Sequence, residues 1–500
     1  MSEITPFRIG DERVEAASAE AVSVVTSPYD GHEIGRVPAG TTADLDRAVA
    51  VALARHREGP LPTHRRAAVL DRAAELLSEP DRQEHFARLV AEEAAKPIKT
   101  ARVEAARAVD TFRFAAATAR TFSGEMVPID ASSAGEGKLA FVQRVPIGVV
   151  GAISPFNFPL NLVAHKLAPA IAAGCPVVLK PASATPLTAL ALVELLVEEC
   201  GLEPGWLNIV TCSGSVADHL VTHDDVAMIT FTGSPPVGWG IRARAPRKRV
   251  NLELGNNAPV IIEPDGDWKV AAAKIKVAGF SHAGQSCISV QRIFVHRDVA
   301  EAFTEALVGE VAQLKVGDPL DPETDVSALI NAGETERVES WVREAAAEGA
   351  EVCTGGTIDG GVLAPTVLTG VLPDMKVCNT EVFGPVVGIA VYDDWHEALR
   401  LANDTRYGLQ AGVFTTNVAR ALEAGRVLDF GGVLVNEVPT WRADQMPYGG
   451  VRDSGNTREG PPYAVQEMTE RRLVVLQGSP VGYGARTPTP DHGPRATEGV

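Results

Sequence analysis

Three residues of this 500-residue chain are of types that could do chemistry, a thiol, a carboxyl and an amide. Cys287 lies in Gly284-Gln285-Ser286-Cys287-Ile288-Ser289, between small polar residues and just after a predicted helix, so its sulfur is placed to be accessible. A lone cysteine is more often core filler than a nucleophile. The reactive form is the thiolate, and a thiol of pKa ~8.5 is only a few per cent ionised at neutral pH, so a base, dipole or cation must raise that fraction. Glu253 lies in Val250-Asn251-Leu252-Glu253-Leu254-Gly255, among apolar residues at a predicted strand end. Burying a carboxylate is costly unless it is paired or used, so it reads as a salt-bridged edge acid or as a working group. Asn157 lies between two prolines in Ile153-Ser154-Pro155-Phe156-Asn157-Phe158-Pro159. An amide in such a turn commonly satisfies local backbone.

Taken together, these segments point further. Gly279-Phe280-Ser281-His282-Ala283-Gly284-Gln285-Ser286-Cys287 resembles the active-site cysteine signature of aldehyde dehydrogenases. Leu252-Glu253-Leu254-Gly255 resembles the general-base motif of that family and precedes the cysteine by 34 residues, as in the family. The segment around Asn157 resembles the motif that supplies the oxyanion amide. The resemblance implies that Cys287 adds to an aldehyde, that the Asn157 amide and the Cys287 backbone N–H bind the resulting oxyanion, and that Glu253 activates the water that hydrolyses a thioester. An apolar pocket should then raise the pKa of Glu253.

The cofactor elements follow the same resemblance. No G-x-G-x-x-G is present, so an ordinary dinucleotide fingerprint is not claimed. Phe231-Thr232-Gly233-Ser234-Pro235-Pro236-Val237-Gly238 follows a predicted strand and opens a helix, where a pyrophosphate could meet backbone N–H groups. It is similar to the family's F-T-G-S-x-x-x-G loop. Lys180 resembles the lysine that holds the adenosine ribose. Glu381 and Phe383, in Glu381-x-Phe383-Gly384-Pro385, resemble the pair at the nicotinamide ribose. The resemblance adds Ile153, Ser154, Pro155, Phe156, Gly214, Gly233, Ser234 and Leu254 to the residues expected around NAD or NADP. Asn403-Asp404-Thr405, Tyr407-Gly408-Leu409 and Pro447-Tyr448-Gly449-Gly450 are further family landmarks, so the likeness runs over about residues 20–477.

Some positions depart from the pattern. Asn256 stands where most relatives have a second glycine, and Thr211-Cys212-Ser213-Gly214 lacks the usual opening of its loop. Ser183 stands where many NAD-preferring members carry Glu, which would repel a 2′-phosphate. Dual or NADP-leaning use is therefore expected. Arg442, in Pro439-Thr440-Trp441-Arg442-Ala443-Asp444-Gln445, is the one substrate clue. It could hold a carboxylate or phosphate bidentately, which suggests a small anionic aldehyde of semialdehyde, lactaldehyde or phosphorylated type, or it could pair with Asp444 or another acid.

Rival readings are a CoA-acylating relative, a cofactor-free cysteine hydrolase and a binding protein that reuses the fold. Members of the acylating branch generally lack the glutamate base. His296 and His396 have no motif context for a cysteine hydrolase. No G-x-S-x-G supports a serine hydrolase. His219 and His223 are four apart but carry no H-E-x-x-H, so they read as surface residues and no metal is expected.

The elements that must position these residues alternate. The stretch 41–125 reads as helices, rich in Ala, Arg and Glu with apolar residues at three- and four-residue steps. Short apolar runs at 149–153, 176–179, 207–210, 228–231 and 250–254 alternate with helical stretches at 161–173 and 185–200, which argues βαβ units and a parallel sheet. The pattern restarts with a strand at 258–262 and a helix at 267–281, and continues to about 435. Runs at 138–147 and 469–477 look like strands outside both sheets. The expected fold is α/β. A Rossmann-like cofactor-binding domain takes 1–127 and 148–255, and an α/β catalytic domain takes 256–453. A small β-strand oligomerisation arm, over 128–147 and 454–477, would pair subunits into a homodimer or homotetramer. Residues 478–500, rich in Gly, Pro, Thr and Arg, read as a disordered tail.

The formal charge of −18 disfavours nucleic acid as a partner. One basic run, Arg242, Arg244, Arg247, Lys248 and Arg249, is either a solvated helix end or an attractor of phosphorylated ligands. Met1 to Gly10 has neither a basic start nor an apolar stretch, and no apolar run approaches the roughly 18 residues of a membrane span. The six cysteines form no C-x-x-C pair, which suits a reducing cytoplasm.

Overall fold

Four helices, Thr42–Glu58, Thr63–Leu77, Pro80–Ala94 and Ile98–Thr121, fill the stretch read as helical. Each buries the face on which its small apolar residues recur, such as Leu45, Ala48, Val49 and Ala52 on the first. A capping box between Thr41 and Asp44 starts that helix. The computed structural model describes residues 4–477, so the expected tail at 478–500 lies outside the described residues.

These helices pack with a seven-stranded sheet. Five of its strands are parallel and lie in the order Arg249–Glu253, Val226–Thr232, Val149–Ile153, Val177–Lys180, Leu207–Ile209. Phe7–Ile9 and Glu12–Val14 extend it antiparallel. Strand order reverses between Val149–Ile153 and Val226–Thr232, the first and fourth parallel strands in sequence. The crevice at the carboxyl ends of strands beside such a reversal is where open α/β sheets bind ligands. Both central strands are buried on both faces, which explains their continuous apolar runs. The 185–200 stretch is one helical segment of two kinds, an α-helix over Leu187–Glu194 and a π turn over Leu195–Glu199.

A second seven-stranded sheet runs Glu351–Thr354, Thr366–Thr369, Val386–Tyr392, Val290–His296, Ala258–Ile262, Gln410–Phe414, Gly432–Val435, all parallel except the first. It has its own apolar core around Ile275, Phe280, Phe303 and Val387. The fold is therefore α/β with two largely parallel sheets, as the alternation implied.

A third sheet stands apart. Thr469–Gln477 pairs antiparallel with Lys138–Pro146 along their whole lengths, and Glu125–Val127 covers the other edge of Lys138–Pro146. Its extent differs from the expected 128–147 and 454–477. It begins earlier, and Pro461–Glu467 is instead a helix whose Val465, with Met468 after it, lies in the core of the first sheet. Apolar residues at helical spacing pulled that segment inward. Among the described residues no helix is long and apolar enough to cross a membrane.

Candidate active site

Cys287 sits on a short loop between the helical segment ending at Gly284 and the strand Val290–His296. The loop is wound tightly, with His282, Ala283 and Gly284 all at left-handed φ. A Cβ on Gly284 would lie 2.1 Å from the Gly384 carbonyl oxygen, so this turn requires glycine. The Gln285 side chain accepts the Ile330 N–H at 2.9 Å, which ties the loop to the second sheet's surroundings. Cys287 is half-buried, and burial pushes its thiol up to about 12. The Tyr448 hydroxyl, 2.9 Å from the sulfur, works against that rise.

Asn157 follows the strand Val149–Ile153 at the sheet's reversal point. Its amide donates to the Gln285 carbonyl at 2.9 Å, so it faces the cysteine loop across the two sheets. The turn does not consume this amide locally. One amide hydrogen remains to donate elsewhere, and its buried Oδ1 has no partner among the described residues.

Glu253 ends its strand with the carboxylate 4% exposed and both oxygens unpartnered among the described residues. It is not a salt-bridged edge acid. Burial first, then the charge of Glu459, raises its pKa well above the usual carboxylate range, while Arg442 and Lys166 act in the opposite sense. Perturbed carboxyls of this kind concentrate at functional sites.

A cleft of about 650 Å³ joins these groups. Every residue expected at the site lines it except Arg442. Ile153, Ser154, Pro155 and Phe156 form one wall, with Gly233, Ser234 and Leu254 beside them. Lys180, Ser183 and Gly214 lie on a further part of the lining, and Glu381 and Phe383 join Cys287 and Glu253. Lys180 Nζ donates to the Ser183 hydroxyl at 3.2 Å. Burial lowers its pKa, and no acid pairs with it among the described residues. A buried, unpaired ammonium in a cleft of this size fits an anionic or hydroxyl-rich ligand. Glu381 accepts the Asn256 N–H at 3.0 Å, and burial raises its pKa to about 7. A Cβ on Gly255 would lie 2.0 Å from Glu381 Oε2, so a larger residue here would push the Glu381 carboxyl aside. Phe156 and Phe383 meet edge to face at 5.9 Å.

Two expectations need correction. The turn before Pro235–Arg244 offers fewer donors than a bare helix start. Pro235 and Pro236 have no N–H, and the Gly233 N–H is taken by the Glu253 carbonyl at 3.1 Å. Ser234 is left as the donor of that pair. Arg442 does not line the cleft and does not pair with Asp444. Its side chain is 5% exposed and lies 3.0 Å from Glu459 Oε2 and from His165 Nε2, with the guanidinium 3.9 Å over the Tyr448 ring. Asp444 is taken instead by Arg107 at 2.7 Å and His165 at 3.0 Å. Tyr448, 2.9 Å from the Cys287 sulfur, stands in a segment singled out in the sequence as a family landmark but given no role there, and the charges of Glu459 and Lys166 that act on Glu253 reach it only through folding. Lys166 Nζ donates to Thr232 at 2.7 Å.

The basic run at 242–249 disperses. Arg244 pairs with Asp218 at 2.8 Å at the cleft rim, and Arg249 pairs with Glu470 at 2.8 Å. His219 and His223 are not simply solvated, because both approach Asp46, at 2.6 and 3.4 Å. His223 Nδ1 accepts the Asp225 N–H at 3.1 Å.

Comparison with known proteins places this geometry. The model of the aldehyde dehydrogenase family matches residues 14–474. The chain is 46% identical over 460 residues to a 3-sulfolactaldehyde dehydrogenase of Priestia aryabhattai, covering 92% of this chain and 95% of that one. It superposes with a TM-score of 0.92 and 38% identity on aldehyde dehydrogenase 21 of Physcomitrella patens in complex with the reaction product succinate, over 96% of this chain and 100% of that one. The glyceraldehyde-3-phosphate dehydrogenase of Methanocaldococcus jannaschii complexed with NADP gives 0.86 at 38% identity, over 91% and 98%. Sequence motifs, sheet topology and cleft thus converge, and the chain belongs to the aldehyde dehydrogenase family.

Proposed function

We propose that this protein oxidises a small anionic aldehyde to its carboxylic acid with NAD or NADP, through a thioester on Cys287. The observation that carries the reading is a half-buried thiol and a buried, unpartnered carboxylate in one cleft with an unpaired ammonium. The Cys287 thiol releases its proton to solvent, the Tyr448 hydroxyl steadying the thiolate, and the sulfur adds to the carbonyl carbon. Asn157 Nδ2 and the Cys287 backbone N–H donate to the oxygen of the thiohemiacetal, where one such donor is typically worth ~10²–10³ in rate. A nicotinamide cofactor in this cleft would supply the hydride acceptor that oxidation of the adduct to a thioester requires. Glu253 then takes a proton from water, the hydroxide adds to the acyl carbon, and the C–S bond breaks to free the acid and the sulfur. Lys180, Ser183, Gly214 and Ser234 would hold the adenosine and phosphate part, with Glu381 and Phe383 toward the nicotinamide end. Ser183 carries no charge to repel a 2′-phosphate, which favours NADP or dual use.

The relatives named for sulfolactaldehyde, for glyceraldehyde 3-phosphate and for the product succinate support an anionic substrate. Arg442 is already balanced by Glu459, so it serves to hold Tyr448 against Cys287. The third sheet serves as an arm that pairs subunits, and the two large sheets divide the chain into a cofactor-binding and a catalytic unit.

A panel of aldehydes read at the reduced-nicotinamide absorbance with each cofactor tests the activity, with Cys287→Ser as blank. Turnover confined to anionic aldehydes and lost in the blank is expected. Acyl-CoA as the product would contradict the hydrolytic route. A preference of at least ~100-fold for NAD, about 2.7 kcal/mol, would contradict the cofactor reading.

A further inference from the structure

The oxyanion amide must be held still to act, yet nothing in its own turn does so. The helix Asn161–Ala173 that follows has Leu160 at its N-cap and no side-chain cap. Its first N–H groups are instead received by another helix. Glu104, on Ile98–Thr121 and 1% exposed, accepts the Leu160 N–H at 3.0 Å and the Asn161 N–H at 3.1 Å through Oε1. Its second oxygen is paired with Lys96, also 1% exposed. The Lys96 ammonium in turn lies 3.6 Å over the ring of Phe158, the residue after Asn157. Phe158 meets His282 edge to face at 6.3 Å, on the loop that carries Cys287.

One buried ion pair therefore grips the chain just after Asn157 at two points, Phe158 and Leu160–Asn161. A buried pair rarely gains stability over an apolar one of equal volume, so its presence calls for another use. A carboxylate at a helix N-terminus is favoured by the dipole and fixes where that helix begins. We propose that Glu104, seated by Lys96, is a positioning residue for the oxyanion hole, setting where the Asn157 amide stands relative to Cys287. This rests on the assignment of Asn157 as oxyanion donor.

Glu104→Asp tests it, because the charge and its pairing with Lys96 remain while the acceptor retreats by one methylene. Lys96→Met/Glu104→Gln removes both charges and keeps an acceptor of full length, so it serves as the conservative variant. Two readouts are taken: kcat with KM for aldehyde and cofactor, and acylation of Cys287 by 4-nitrophenyl acetate, which uses the same oxyanion donors and no cofactor. Glu104→Asp is expected to lower kcat and the acylation rate about tenfold with both KM values unchanged, roughly 1.4 kcal/mol. Lys96→Met/Glu104→Gln is expected to stay within about threefold of the parent. In an Asn157→Ala background Glu104→Asp is expected to cost nothing further, since the group it positions is gone. Losses that multiply in that background, or a fully active Glu104→Asp, would overturn the proposal. An Asn157→Ala protein as fast as the parent would instead overturn the reading of the site, and this inference with it.

Discussion

At the scale of single residues, the site sets a thiol and two carboxyls against their own charged forms. Burial raises Cys287 to about 12, Glu381 to about 7 and Glu253 well above the ordinary range. Glu253 acts as a base only when deprotonated, so the deacylation rate should rise with pH as this elevated group ionises and fall as pH drops below it. Glu253→Gln should flatten that limb of the steady-state profile while lowering kcat. Glu381 gives a second, separable test. A carboxyl whose pKa is raised by folding favours its protonated form, so the stability it contributes is complete below 4.5, declines as pH rises and is gone above about 7. Glu381→Gln should therefore raise the melting temperature relative to the parent at pH 8 and leave the two alike at pH 4. A parent that gains on the variant as pH rises would contradict this.

At the scale of elements, strand ends and loops place the chemistry. Ile153, Lys180, Thr232 and Glu253 each close a parallel strand of the first sheet, so their successors converge on one crevice. That much was legible in the sequence, because apolar runs mark parallel strands and each motif is a short contiguous segment. What was not legible is what faces those motifs across the fold. Glu104 meets Leu160 from 56 positions away with no local pattern to mark it, and Tyr448, though in a family landmark, meets Cys287 from 161 away, a contact its segment does not announce. Arg442 shows the limit most clearly. Its charge near a substrate loop suggested either an anion site or a salt bridge with Asp444 or another acid, and the fold gives the salt bridge, buried against Glu459. Arg442→Ala would leave Glu459 buried and unpaired, so a loss of about 3–5 kcal/mol in unfolding free energy is expected. Chemical denaturation reads this directly, and an unchanged unfolding free energy in Arg442→Ala would contradict it.

At the scale of the whole molecule, the third sheet has a consequence for assembly. Thr469–Gln477 lies at a sheet edge and exposes Leu473 at 54%, Val475 at 44% and Leu476 at 50%. A long apolar edge strand left uncovered invites pairing with another chain. Sedimentation velocity should show a dimer or larger species for the parent, and Leu473→Asp/Val475→Asp should dissociate it. A parent that sediments as a monomer would set aside the arm's proposed role.

The central claim is that the acyl group passes through the sulfur of Cys287 and leaves it with the help of Glu253. The most direct measurement is mass spectrometry of Glu253→Gln protein quenched in acid after mixing with aldehyde and cofactor. The peptide carrying Cys287 should gain the mass of the acyl group, and the gain should vanish in Glu253→Gln/Cys287→Ser. An unmodified Cys287 peptide while carboxylic acid still accumulates would contradict the account.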